Sequence, residues 1–251
     1  LDLRFGNVEA ALELIRKISY RQGIGDLLAE GVRVASEKIA KGSEKFAMHG
    51  KKMEYPGYEP RASPAFCLLY AITDRGACHR RGWPVIVEDK LCKPLVADGR
   101  AKLVKDLYDE RIPLHCGGVC DRPSRISGIS FEEMAQIISY ITGWDVTVDE
   151  LHVLADRVAS LVRSFNVREG ANRATDRLAP RTLEEPLPEG PAKGFHLTRE
   201  MLDRMLDEYY ELRGWDKVTG IPTYKTLEGL GLKEIADELV NLGFLKLRGG
   251  N

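Results

Sequence analysis

Apolar residues recur at intervals of three and four over most of this 251-residue chain, and no stretch of any length alternates as a half-buried strand must. Such a pattern buries helix stripes against one another, so the expected fold class is all-α, a multi-helical orthogonal bundle. Two capping boxes sharpen the expectation. Ser130 and Glu133 precede an apolar run that ends at Gly143, and Thr147 and Glu150 open a helix with Leu151, Leu154, Val158, Leu161 and Phe165 on one face. Near the start, Val8, Ala11, Leu12, Ile15 and Ile18 mark a half-buried helix that Gly23 and Gly25 end, and a second runs from about Asp26 to Ile39. Pro64 to Ile72 reads as the start of a buried helix, and residues 88–108 as another. Thr198 opens a helix with Met201, Leu202, Met205, Leu206, Tyr209 and Leu212 on one stripe, with Tyr210 and Trp215 anchoring the same interface. A short helix spans roughly Lys233 to Val240.

The connections are equally legible. Residues 41–62 hold two prolines and three glycines and form the expected boundary between a 1–49 region and a 50–251 region. Residues 171–196, with four prolines, read as an extended connector. No internal repeat and no glycine-rich phosphate loop is present. With 37 basic against 38 acidic residues the net charge is -1, which gives no electrostatic case for a nucleic-acid or anionic-membrane partner. No apolar run approaches the ~20 residues of a membrane span. Charges break the opening LDLRFGNVEAALELIRK, so it is no signal peptide, and the missing initiator Met implies a processed chain or part of a longer one. Five cysteines, Cys67, Cys78, Cys92, Cys116 and Cys120, are an odd set that argues against a disulfide framework and for a reducing, cytoplasmic setting.

Two loops gather the reactive side chains. One offers Asp74, Arg75, Cys78, His79, Arg80 and Arg81; the other offers His115, Cys116 and Cys120, followed by Asp121 and Arg122. Thiolate and imidazole are ligands for zinc or iron-sulfur clusters. A single Cys-x-x-x-Cys lacks the second pair of a zinc ribbon, and free cysteine is often a small buried apolar residue. Three arginines beside His79 can hold an anion bidentately or form a surface ion-pair patch. Glu54, Glu59 and Arg61 lie in a turn-rich segment, where a carboxylate-guanidinium pair would order the loop. Arg163, Asn166, Arg168 and Glu169 crowd one helix end, which reads as capping.

Four stretches, GNVEAALELIRKISYRQGIGDLLAEG, YPGYEPRASPAFCLLYAITDRGACHRRGW, ITGWDVTVDELHVLADRVASLVRSFNVREG and LDEYYELRGWDKVTGIPTYKTLEGLGL, together resemble the aldehyde ferredoxin oxidoreductase family, in the family's order and over nearly the whole chain. The resemblance implies the end of that family's second domain and the whole of its helical third. Family members hold tungsten or molybdenum between two pterin dithiolenes beside a 4Fe-4S cluster, oxidise aldehydes to carboxylates and pass electrons to ferredoxin. The resemblance makes His79 the catalytic candidate, able to hydrogen-bond a ligand of the metal or shuttle a proton. It makes Asp74, Arg75, Arg81 and His115 the cofactor-binding candidates, with Arg81 where members can carry a pterin-contacting lysine. Within GGVC it makes Cys120 the candidate metal ligand, as the fourth cluster cysteine.

This chain also departs from the pattern. His115 stands at about the position where the family places an aspartate toward the pterin. The other three cluster cysteines and the β-rich pterin-binding base have no counterpart here, and one thiolate does not hold a cubane. The expectation is the C-terminal portion of a pterin oxidoreductase, inactive and without bound cofactor on its own. It would depend on an N-terminal domain or a separate subunit, or else cover its apolar faces by homodimerisation. Two other readings stand beside it. One is a non-catalytic helical scaffold derived from the family; the other is an independent metal site built from Cys78, His79, His115, Cys116 and Cys120.

Overall fold

A computed structural model describes residues 1–90, 95–120 and 129–246, and its described part is predominantly helical. At the centre lies α4 (Pro64–Ile72). Ser63 caps it, its side chain accepting from the Phe66 N–H, and Pro64 occupies the first turn, where a missing N–H is harmless. Every residue of α4 is buried, as a helix that is apolar all round must be. Packed around it are α5 (Val85–Lys90), α6 (Arg100–Asp109) and α11 (Arg199–Arg213). Leu202, Met205, Leu206, Tyr209 and Tyr210 of α11 supply much of the facing core, together with Trp215 stacked on Tyr210. The expected stripe holds except at Leu212, which faces outward.

The N-terminus of α4 is closed electrostatically. Glu88 of α5 accepts from the Ala65 N–H at 3.1 Å, pairs with Arg100 at 2.9 Å and receives the Ser63 hydroxyl. A carboxylate beside free helix N–H groups is favourable, and here it is buried with its cation.

The second wall is α9 (Val148–Arg168), with α7 (Arg111–Cys116) and α8 (Phe131–Thr142) against its first turns. Both expected capping boxes form, Ser130 with Glu133 and Thr147 with Glu150. Thr147→Ala should cost about 1 kcal/mol in urea denaturation. A loss below a few tenths would mean that the cap is redundant with packing. The buried face of α9 runs through Leu151, Ala155, Ala159, Ser160, Arg163, Ser164 and Val167. That corrects the expected stripe, because Leu161 and Phe165 are exposed. Small residues at 155, 159 and 160 let α9 approach closely, which turns the bulkier Leu161 and Phe165 outward.

Arg163 also departs from its expected capping role. It is buried and grips Asp176 with two nitrogens, at 3.1 and 2.7 Å, while its Nε donates to the Gly220 carbonyl at 2.9 Å. Asp176 lies in the proline-rich connector, which includes the short α10 (Pro180–Glu184). Glu59 and Arg61 form the expected pair at 2.8 Å, and Arg61 also donates to the Glu185 carbonyl. A separate apolar cluster joins α12 (Tyr224–Gly229) and α13 (Lys233–Asn241) to the end of α9.

At the chain start, α1 (Val8–Ser19) packs on α2 (Ile24–Leu28), followed by α3 (Gly31–Ile39). The single helix expected from Asp26 to Ile39 is broken at Gly31, whose φ is +84°. Gly25 sets the α1–α2 approach: a Cβ there would lie 2.2 Å from the Lys17 carbonyl group. So tight a contact uses the face around Ala10, Lys17 and Ile18. Apart from Ile18, the stripe expected to be half-buried instead faces out, with Val8 66%, Leu12 61% and Ile15 60% exposed. Residues 41–62 contain a 3-10 turn (Ser43–Phe46) and a hairpin of β1 (His49–Gly50) and β2 (Met53–Glu54). The helix expected over 88–108 is two, α5 and α6, and Cys92 between them lies outside the described residues. No helix among the described residues is long and apolar enough to cross a membrane.

Candidate functional site

The loop that leaves α4 is folded back on itself. The Thr73 hydroxyl donates to the Gly76 carbonyl, and Asn166 of α9 donates from Nδ2 to the Asp74 carbonyl at 2.7 Å. Gly76 has φ +112°, and a Cβ there would lie 2.7 Å from the Met53 Cβ and 2.8 Å from the Gly50 carbonyl oxygen. Only glycine satisfies both the dihedral angle and the clearance.

Arg81, seven residues on, closes a fork on Asp74. Its Nε lies 3.0 Å from Oδ1 and its Nη2 2.8 Å from Oδ2. Burial works against the guanidinium charge, but the Asp74 carboxylate outweighs it and raises the Arg81 pKa. The remaining Nη1 stands 3.0 Å from Nδ1 of His115. A guanidinium has only donors. Nδ1 of His115 therefore accepts, and its ring proton sits on Nε2. Asn166, Asp74, Arg81 and His115 form a continuous chain in which each link orients the next.

His115 occupies the last turn of α7, which ends in a Schellman motif. The Val119 N–H donates to the Leu114 carbonyl at 2.9 Å and the Gly118 N–H to the His115 carbonyl at 3.2 Å, with Gly118 at φ +68°. The cap reverses the backbone directly after Cys116 and delivers Cys120 to the surface. Between this end of α7 and α9 lies a cleft of about 190 Å³, walled by Tyr108, Ile112, Val158 and Val162, with Asp74, Arg81 and His115 among its polar lining. Burial pushes the Tyr108 phenol well up, so it is neutral at any physiological pH.

The other candidates separate into different contacts. Arg75 donates to the Cys78 sulfur at 2.9 Å. Arg80 lies over the Trp83 ring at 5.6 Å. The three arginines thus engage three partners rather than one anion site. His79 is half-buried, with its ring 5.0 Å from Tyr58 and 4.8 Å from Trp83. Among the described residues no group of three or more His, Cys, Asp or Glu side chains is arranged to hold a metal ion. Cys78, His79, His115, Cys116 and Cys120 do not form the independent metal site that their spacing allows. Asp121 and Arg122 lie outside the described residues.

The family model for aldehyde ferredoxin oxidoreductase, domains 2 and 3, matches residues 1–232. The chain belongs to the aldehyde ferredoxin oxidoreductase family. It is 36% identical to the tungsten-containing aldehyde ferredoxin oxidoreductase of Pyrococcus horikoshii, over 92% of this chain and 38% of that protein. With the Thermococcus kodakarensis enzyme of the same description it shares 34% over the same fractions. It is 28% identical to a Pyrococcus furiosus protein described as the WOR-like subunit of an aliphatic sulfonate oxidoreductase, over 95% of this chain and 37% of that one. The chain therefore spans well under half the length of these family relatives and corresponds to their C-terminal part. Among solved structures, the active site complex BamBC of benzoyl coenzyme A reductase with 1,5-dienoyl-CoA superposes with a TM-score of 0.75 at 25% identity. That match covers 99% of this chain and 42% of the other.

Two contributors in this family member, Tyr58 and Trp83, are not singled out by the sequence, and Asn166, expected to cap a helix end, has another role. Tyr58 and Trp83 flank His79, and Asn166 holds the Asp74 carbonyl from 92 residues away. Trp83 sits within the HRRGW segment and so is visible beside His79. The partners of Tyr58 and Asn166 carry no local signal, because tertiary packing sets them.

Proposed function

We propose that this segment is the C-terminal helical portion of a tungsten- or molybdenum-bispterin aldehyde oxidoreductase, and that the Asp74–Arg81 loop and His115 form its cofactor-facing wall. The observation that carries the reading is the chain from Asn166 through Asp74 and Arg81 to His115 at the mouth of the cleft. Its polarity suits a pterin edge, which offers both donors and acceptors: Asp74 accepts, while Arg81 and the His115 Nε2–H donate. Arg75 extends the same wall. His79, held between two rings, is suited to take or return a proton beside the metal. Cys120, at the surface after the Schellman cap, would supply one thiolate to a 4Fe-4S cluster, whose other ligands belong to the preceding region. When bound, the metal-pterin centre would accept the two electrons of aldehyde oxidation and the cluster would pass them to ferredoxin.

The required partner is the polypeptide that precedes this segment in the family, in the same chain or as a separate subunit. The exposed stripe of Val8, Leu12 and Ile15 supports that reading, since three large aliphatic residues in a row on one helix face are a docking feature. The odd number of cysteines fits a reducing cytoplasm.

The test is metal analysis of the purified chain, alone and co-expressed with the preceding region of the Pyrococcus horikoshii tungsten-containing relative. The chain alone is expected to be folded and free of tungsten, molybdenum and iron. The complex is expected to hold tungsten or molybdenum together with the iron of one cluster. A folded complex with neither metal would favour the non-catalytic scaffold, and stoichiometric metal on the chain alone would contradict the division of ligands.

A further inference from the structure

We propose that Lys51 is a latch that clamps the hairpin onto the Asp74–Arg81 loop, which makes it a positioning residue for His79 and Arg81. The hairpin pairs His49 with Glu54 and Gly50 with Met53, leaving Lys51 and Lys52 as a two-residue turn. Both have positive φ, +48° and +73°. Turns of this kind select Asn-Gly, because glycine has no Cβ and Asn tolerates the left-handed region better than longer side chains do. Two lysines there need a compensating contact.

Lys51 has one. Its Nζ pairs with Asp176 Oδ1 at 2.8 Å and donates to the Ala71 carbonyl in the last turn of α4, immediately before the loop. Asp176 does not depend on this cation for its hydrogen bonds, because Arg163 holds it with two nitrogens and the Tyr210 hydroxyl donates to it at 2.6 Å. What Lys51 adds is attachment of the hairpin. With the lysine drawn inward, the Gly50 carbonyl and Met53 close on Gly76, and a Cβ at Gly50 would lie 3.3 Å from that of Ala77. The hairpin thus covers the loop at Gly76 and Ala77.

Calling Lys51 a positioning residue rests on the proposed function; the latch itself does not, and thiol chemistry reads it directly. Cys78 lies in the loop and is 2% exposed, while Cys67 lies in α4 and is fully buried, its thiol pushed well up by burial. Residue-resolved alkylation of the purified chain should show Lys51→Met raising the Cys78 rate by roughly tenfold while Cys67 changes little, the mark of local rather than global opening. Lys51→Gln, which keeps a donor for the Ala71 carbonyl, should fall between the two. Lys52→Gly, which relieves the turn and leaves the latch, should keep Cys78 at or below the wild-type rate. The proposal fails if Cys78 and Cys67 rise by the same factor, if Cys78 does not respond in either Lys51 variant, or if Lys52→Gly opens the loop. The outcomes are separable: the complex can hold metal without a latch, and the latch can exist in a chain that never meets a pterin.

Discussion

Asp176→Asn is expected to destabilise the protein by about 3–5 kcal/mol, because it strands two cations in the core. Asp176 is fully buried and paired with both Lys51 and Arg163, and it also receives the Tyr210 hydroxyl. An amide keeps one accepting oxygen, turns the other position into a donor facing the cations, and neutralises neither of them. Urea denaturation followed by far-UV circular dichroism measures the loss, and a change below about 1 kcal/mol would show that water reaches the cluster and solvates it. The same site sets an acid dependence. Burial raises the Asp176 pKa, but Lys51 and Arg163 together lower it further, so the net shift is below the ordinary aspartate value of 3.8. A carboxyl with a depressed folded pKa stabilises fully above its unfolded value, and that stability is lost as pH falls through the folded one. Wild type should therefore lose stability as pH drops below about 4, and Asp176→Asn should show a flatter acid limb.

Arg213→Met should cost about 3 kcal/mol. The Arg213 side chain is fully buried at the end of α11, with Nη2 2.6 Å from Asp109, Nη1 2.8 Å from Asp156 and Nε donating to the Tyr209 hydroxyl at 3.1 Å. It also lies over the rings of Tyr108 and Tyr209, at 5.6 and 5.3 Å. The loss falls at the lower end of the range for a broken buried pair because Lys105 still holds Asp109 at 2.7 Å. Adding Asp109→Leu should recover part of the loss, since removing both charges leaves Lys105 and Asp156 paired with each other at 3.0 Å. A double variant less stable than Arg213→Met would show that the cost comes from packing of the guanidinium on the two tyrosines.

The caps and most helix positions were readable in the sequence because they are local: a capping box needs only four residues, and both boxes formed where the motif stands. The Schellman turn after His115 is local as well, and Gly118 announces it. What could not be read was which apolar face each helix buries. Both sides of α1 look usable, and Gly25, a residue of the next helix, decides between them. Likewise Arg163 looks like a capping residue beside a helix end, and only Asp176, thirteen positions on in an irregular connector, turns it into a core ion pair. Of the site, Arg81 and His115 were visible as residues, but their contact joins positions 34 apart. Spacing carries no information about a pairing that a loop and a distant helix bring together.

The wholly buried α4 also governs how the chain reaches this state. Nine residues with no polar face can find no stable surface of their own in water, so α4 stays an adhesive segment until its covers arrive. One of those covers, α11, lies more than 120 positions further along the chain. Such distant closure is entropically slow. Throughout synthesis of the intervening residues the segment is exposed to neighbouring nascent chains, which makes folding yield, more than final stability, the quantity most sensitive to expression rate and temperature.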